Sequence, residues 1–205
     1  MIGNSVRRNV GLALGLLLLL ALKSDTAVIK KDYFLVTLDD KEVGHLTIVE
    51  VDKDSVKGYA LVSTVKSRFV ISIVVKERIT EQFKHGKLLK STHYRTVNGT
   101  TKSSNHLWAK NGVYQTIDSL SGKTSTITEP IYTTTLSVYF EEPKGAETIY
   151  SENFRKVLKV TNDVVGVYMV HLPNDKKTKF VYEEGKLMLM ETKGLYGTIK
   201  FIRKQ

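Results

Sequence analysis

Apolar and polar positions alternate along most of this chain, in short runs broken by turn residues, from Asp32 almost to the last residue. Such period-two alternation puts successive side chains on opposite faces of a strand. Tyr33–Leu38 is the first run and stops at Asp39-Asp40-Lys41. Glu42–Val51, Val56–Ser67, Phe69–Phe83, Leu88–Val97, Thr100–Ala109, Val113–Asp118 and Lys123–Thr128 follow it. A second series runs through Lys156–Thr161, Gly166–Leu172, Thr178–Tyr182, Lys186–Thr192 and Tyr196–Ile202. The runs are rich in β-branched and aromatic residues, and Gly, Asn and Asp cluster between them, which predicts an antiparallel meander. Asn98-Gly99 is the strongest turn signal, because a type I′ turn needs positive φ at both central positions.

Between the two series lies the segment 129–152, EPIYTTTLSVYFEEPKGAETIYSE, with Pro130 and Pro143, two of the three prolines. Tyr132, Leu136, Tyr139 and Phe140 fall at helical spacing, so two turns of helix would bring all four to one side. Local propensity opposes that helix: Thr133, Thr134, Thr135 and Val138 are stiff at χ1 and favour an edge strand. On either reading the segment is an aromatic insert joining two halves of one sheet system. The predicted fold is therefore all-β: an antiparallel, curled open barrel of roughly ten to twelve strands, closed across its opening by one short helix. The most apolar strand opening, Phe69-Val70-Ile71-Ser72-Ile73-Val74-Val75, predicts burial on both faces or a face lining a cavity. Phe69, Ile71 and Ile73, with Tyr132, Leu136, Tyr139 and Phe140, are the candidate ligand-binding residues.

Candidate chemistry is sparse. If Asn98-Gly99 forms a two-residue turn, His93 and His106 become diagonal neighbours on one hairpin face. They would lie about 7–8 Å apart at Cα, within reach of one metal ion or one proton-transfer substrate. No third histidine or carboxylate is tied to them, and two surface histidines can meet by chance. Glu141 and Glu142 are adjacent and so point to opposite faces of an extended strand, which disfavours a cooperating carboxylate pair. No G-x-S-x-G elbow, phosphate loop or H-E-x-x-H segment occurs. The residues imply no cofactor, and they favour a non-enzymatic protein over an enzyme using His93 and His106.

The first residues carry an address. Arg7 and Arg8 precede a thirteen-residue apolar run, Val10–Leu22, too short to span a bilayer comfortably. This predicts a signal peptide over residues 1–27, cleaved near Ala27, and a single β-rich domain over 28–205 in the periplasm or outside the cell. With no cysteine anywhere, the exported chain has no disulfides and must be stabilised by packing. Removing residues 1–27 takes three basic residues and one acidic residue from the net charge of +10, leaving +8. Such a charge favours anionic envelope surfaces, although the lysines are scattered through the turns rather than clustered. Without a basic stripe interleaved with stacking aromatics, nucleic acid is not an expected partner.

Several motifs in order carry a resemblance: Val43-Gly44, Phe83 with Gly86-Lys87-Leu88, Asn98-Gly99, the segment Tyr139-Phe140-Glu141-Glu142-Pro143 with Tyr150-Ser151-Glu152, and Leu172-Pro173-Asn174. From about Asp32 to Ile202 the chain resembles a family of small secreted bacterial proteins whose domain has no assigned function. That family is similar, more distantly, to periplasmic lipoprotein carriers, built as an incomplete β-barrel with a helix across the opening. The resemblance implies a short helix at Tyr132–Phe140 and no catalytic residues. Asn174-Asp175 stands where Asp-Gly is commoner in the family, a small change of turn chemistry. The expected function is an exported protein holding a lipid or other apolar ligand, such as an acyl chain, in a half-barrel groove. The alternative is a structural envelope protein with a filled core. Expression with N-terminal sequencing checks the address: the exported fraction should contain a chain starting between Ser24 and Val28, and only full-length protein in the inner membrane would reject cleavage.

Overall fold

The computed structural model describes residues 27–68, 72–194 and 197–204. The predicted signal peptide, but for Ala27, and the candidate residues Phe69 and Ile71 lie outside the described residues. Eight strands form the first series: β1 (Val28–Leu38), β2 (Lys41–Lys53), β3 (Val56–Arg68), β4 (Ser72–Lys84), β5 (Lys87–Val97), β6 (Thr100–Lys110), β7 (Val113–Asp118) and β8 (Thr124–Ile127). Six form the second: β9 (Thr148–Ser151), β10 (Lys156–Val164), β11 (Val167–His171), β12 (Lys177–Glu183), β13 (Lys186–Lys193) and β14 (Thr198–Arg203). All belong to one antiparallel sheet in the order β8-β7-β6-β5-β4-β3-β2-β1-β14-β13-β12-β11-β10-β9. Each series is a meander of hairpins, and only the β1–β14 pairing, Phe34 opposite Arg203 to Leu38 opposite Ile199, joins them. The sheet does not close on itself by strand pairing. This is the predicted curled, open, antiparallel architecture.

Alternation explains which face is inside. Phe34, Val36 and Leu38 of β1, Leu46 and Ile48 of β2, and Tyr59 and Leu61 of β3 are all buried and meet across the ladder. They continue into Ile79, Phe83, Leu88 and Leu107 on one side, and Tyr168, Phe180, Tyr182 and Leu187 on the other. The outer face holds only a small cluster, Val49, Val51 and Ala60. Gly44 fits where β2 approaches β3, since a Cβ there would lie 2.1 Å from the Thr64 carbonyl oxygen.

The segment between β8 and β9 crosses one end of this curled sheet. Its predicted helix at Tyr132–Phe140 is a single 3₁₀ turn, Ser137–Tyr139. Before that turn the threonine run is extended and pairs with β9: Thr135 N–H donates to the Tyr150 carbonyl and Tyr150 N–H to that of Thr133, both at 2.9 Å. β-branched stiffness thus prevailed over the apolar spacing. β9 itself lies within the stretch read as insert and was not anticipated. Ile131, Leu136, Val138 and Tyr139 are nevertheless buried in the main core, so the segment is an aromatic plug.

Asn98 and Gly99 have φ of 48° and 82°, the positive pair a type I′ turn requires. A Cβ on Gly99 would meet nothing within 4 Å, so Gly99→Val carries backbone strain alone. Thermal denaturation should show a loss of about 1–3 kcal/mol; an unchanged Tm would mean that the hairpin tip contributes nothing to cooperative stability.

Candidate functional site

A cavity of about 340 Å³ lies inside the curl, between the plug and the end where β1 turns into β2 and β13 precedes β14. Its walls come from both meanders. Leu46, Leu61 and Ile79 contribute from one, Phe180, Met190 and Phe201 from the other, and Tyr139 and Thr135 come from the plug. These side chains share the inner face because the cross-strand pairs Leu61–Ile79, Phe180–Met190 and Met190–Phe201 hold them in register.

Polar groups interrupt this apolar wall on β4 and β5. Inward positions of β4 read Val75, Glu77, Ile79 and Glu81, and those of β5 read Ser91, His93 and Arg95. Glu77 is half-buried and faces Arg95, but its Oε1 lies 2.7 Å from His93 Nε2. Burial alone would raise the Glu77 carboxyl. The hydrogen bond from His93 and the electrostatic influence of His93 and Arg95 instead hold it below its ordinary value. Glu77 is thus the ionised acceptor and His93 Nε2–H the donor. The other ring nitrogen, Nδ1, lies 3.2 Å from Ser103 Oγ. Acid, imidazole and hydroxyl stand in the order of a nucleophilic triad, yet neither His93 nor Ser103 borders the cavity. Their visible effect is to orient Glu77.

Two further carboxylates lie between the wall and the plug. Glu81 and Glu152 are 4% and 1% exposed, and both serve the plug turn. Glu81 Oε2 accepts the Thr134 hydroxyl at 2.6 Å, while its Oε1 is buried without a hydrogen-bond partner. Glu152 accepts the Thr135 hydroxyl and, at 3.3 Å, the Leu136 N–H. Burial and the neighbouring Glu152 charge push the Glu81 carboxyl well above its ordinary value. On the far side, Asn105 Nδ2 donates to the Glu152 carbonyl at 3.0 Å, and Arg155 Nη1 to that of Lys123 at 3.0 Å. Hydrogen bonds to and from the β9–β10 turn thereby tie the two meanders where strand pairing does not.

The candidate residues distribute unevenly over this geometry. Tyr139 borders the cavity and donates its hydroxyl to Met190 Sδ at 3.5 Å. Leu136 is wholly buried in the core, and Phe140 stacks on Tyr59 at 5.8 Å between ring centroids. Tyr132 is 56% exposed at the plugged end, away from the cavity. Ile73 is half-buried at the start of β4 and does not border the cavity. His93 and His106 are separated by a β-bulge. Thr96–Thr101 keeps the expected register, but Arg95 pairs with Ser103 rather than Lys102, so His93 faces Asn105 inside and His106 faces Thr92 outside. That one-residue shift dissolves the proposed histidine pair. Among the described residues, no group of three or more His, Cys, Asp or Glu is arranged to hold a metal. Glu141 and Glu142 are not simply solvated: each accepts a tyrosine hydroxyl, from Tyr59 at 2.9 Å and Tyr168 at 3.0 Å.

The family match covers residues 34–204, nearly all of the described sheet, and is to a domain of unknown function, DUF6134. The chain belongs to this family. A crystal structure of the beta-barrel-like protein of domain of unknown function DUF1849 from Brucella abortus is similar over 85% of this chain and 95% of that one. The two are 14% identical, with a TM-score of 0.46. None of the curated proteins matches the chain. The residues that sequence reasoning passed over in this DUF6134 domain are Glu77, Glu81, Arg95 and Glu152. Charged side chains at inward positions of β4 were the visible signal, once Ile79 and Phe83 fix which face is inside.

A buried carboxyl whose hold on its proton is strengthened by folding has a pH signature. Unfolded, Glu81 releases its proton near its ordinary 4.5; folded, it holds on to higher pH. Its contribution to stability is therefore greatest below about 4.5 and declines as pH rises toward the folded value. Glu77 acts with the opposite sign: its contribution is present above 4.5 and is lost as pH falls through its lowered folded value. Glu81→Gln keeps a carbonyl acceptor for Thr134 and removes the titration. Its Tm should exceed that of the wild type at pH 7 and approach it at pH 4. A lower Tm at pH 7 would show that Glu81 is ionised in the fold.

Proposed function

We propose that this protein is an exported, non-enzymatic binding module that holds an apolar ligand in the cavity between its two meanders. The observation that carries the reading is the cavity itself. Its volume of about 340 Å³ falls at the lower end of ligand pockets, roughly 300–1,000 Å³, and its walls are mainly aliphatic and aromatic. The side-chain arrangement offers little to an enzymatic reading. His93 is buried and committed to Glu77. Export rests on Arg7, Arg8 and the Val10–Leu22 run, and the basic balance of the remaining chain suits an anionic envelope surface.

A second reading, a structural envelope protein, is favoured by the packing of the plug. Leu136 and Thr134 are wholly buried, so the plug is core rather than a detachable lid. Leu136→Ala should accordingly cost about 2–5 kcal/mol as a core truncation.

Uptake of the neutral apolar dye N-phenylnaphthylamine separates the readings. The binding module should take it up saturably, with a blue-shifted emission. Val75→Trp, which fills the cavity from β4, should abolish uptake while costing no more than about 1–3 kcal/mol of stability by overpacking. Absence of saturable uptake by the wild type would reject the carrier reading and leave the structural one.

A further inference from the structure

Arg95 projects from the inner face of β5, opposite Glu77 on β4 and Ser103 on β6. It is half-buried and borders the cavity, and its Nε is shielded from solvent without a hydrogen-bond partner. Among the described residues it forms no ion pair, because the acid that faces it is turned to His93. A guanidinium stays charged at every physiological pH and offers five N–H donors in one plane. Leaving such donors buried without acceptors is costly. Glu77 offsets part of that cost through its charge at a distance, but it supplies no hydrogen bond.

The other charged groups on the cavity wall are already engaged. Glu77 accepts from His93, and Glu152 accepts from the Thr135 hydroxyl and the Leu136 N–H. The charged group left unengaged at this wall is therefore a donor, set among Leu61, Ile79, Phe180, Met190 and Phe201. A ligand that satisfies both parts has an acceptor-bearing head and an unbranched apolar body. The geometry points to an acyl chain as the ligand, its carbonyl head, a free carboxylate or an ester, accepting from Arg95 while its tail lies against those apolar side chains. The cavity volume suits one chain rather than several. This assignment rests on the binding-module reading and names the ligand class and the residue that selects it.

Isothermal titration of the purified protein with three ten-carbon ligands tests it: decanoate, methyl decanoate and decylamine. Glu77 and Glu152 would attract the amine and Arg95 would repel it, so the charges on the wall compete and the result discriminates. Decanoate, methyl decanoate or both should bind at least tenfold tighter than decylamine. Preference for decanoate identifies a free acid, and preference for the ester identifies an esterified acyl group. In Arg95→Gln the gap over decylamine should close to within about twofold, with a cooperative thermal transition retained. Should that variant fail to fold, Arg95→Lys decides: it keeps the charge but not the planar fork, so affinity for the ester should fall several-fold.

Decylamine binding as tightly as the acyl ligands would overturn the assignment of Arg95. So would an undiminished gap in Arg95→Gln, or unchanged ester affinity in Arg95→Lys. If none of the three binds while N-phenylnaphthylamine is still taken up, the head-group assignment fails and the binding module stands. Loss of all four removes both.

Discussion

Two buried carboxyl groups hold the irregular segment between β8 and β9 in place. Glu81, from the wall, and Glu152, from the β9–β10 turn, take the hydroxyls of Thr134 and Thr135 and the amide of Leu136. Those three consecutive residues turn the chain across the end of the curled sheet. Their backbone lies in the core, where no strand partner could satisfy every polar group. The result is a plug whose apolar residues, Ile131, Leu136, Val138 and Tyr139, are buried in the core. The cavity exists because the plug fills one end of the curl and stops there.

The same turn serves the sheet edges. β8 and β9 end the sheet on either side, and exposed strand edges invite pairing with other chains. The plug lies between them, bonded to β9 through Thr133 and Thr135 and to the start of β5, where Leu88 N–H meets the Ile131 carbonyl at 2.9 Å. An unclosed sheet is thereby completed by side chains and one irregular strand, with space inside that a fully closed barrel of short strands would fill.

Most of the sheet was legible from alternation and turn chemistry, because register and burial both follow period two. What escaped the sequence depends on single irregularities. The bulge between Arg95 and Thr96 leaves no mark in composition, yet it moves His93 to the inside and His106 to the outside. The helical spacing of Tyr132, Leu136, Tyr139 and Phe140 was real but decided little, since the threonines preceding the turn had β9 to pair with. Arg95 and Glu77 look like ordinary surface charges in sequence. Only the position of Ile79 on β4 and the pairing of Glu77 with Arg95 on β5 reveal that they face inward.

The single seam between β1 and β14 sets how the chain must find its fold. Every other pairing in the two meanders joins strands adjacent in sequence, so each meander can form by local zippering of hairpins. β1 and β14 come from opposite ends of the sheet-forming chain, and bringing them together closes nearly the whole domain into one loop. The entropy of that closure grows only slowly with loop length, but it must be met before the inner face is complete. Of the pairings in the sheet, it is the one that carries the largest loop-closure cost. Until it forms, each half exposes the Phe34 or Phe201 side of its strand to solvent, which makes the final strand the element whose absence would turn a cavity-forming domain into two sticky sheets.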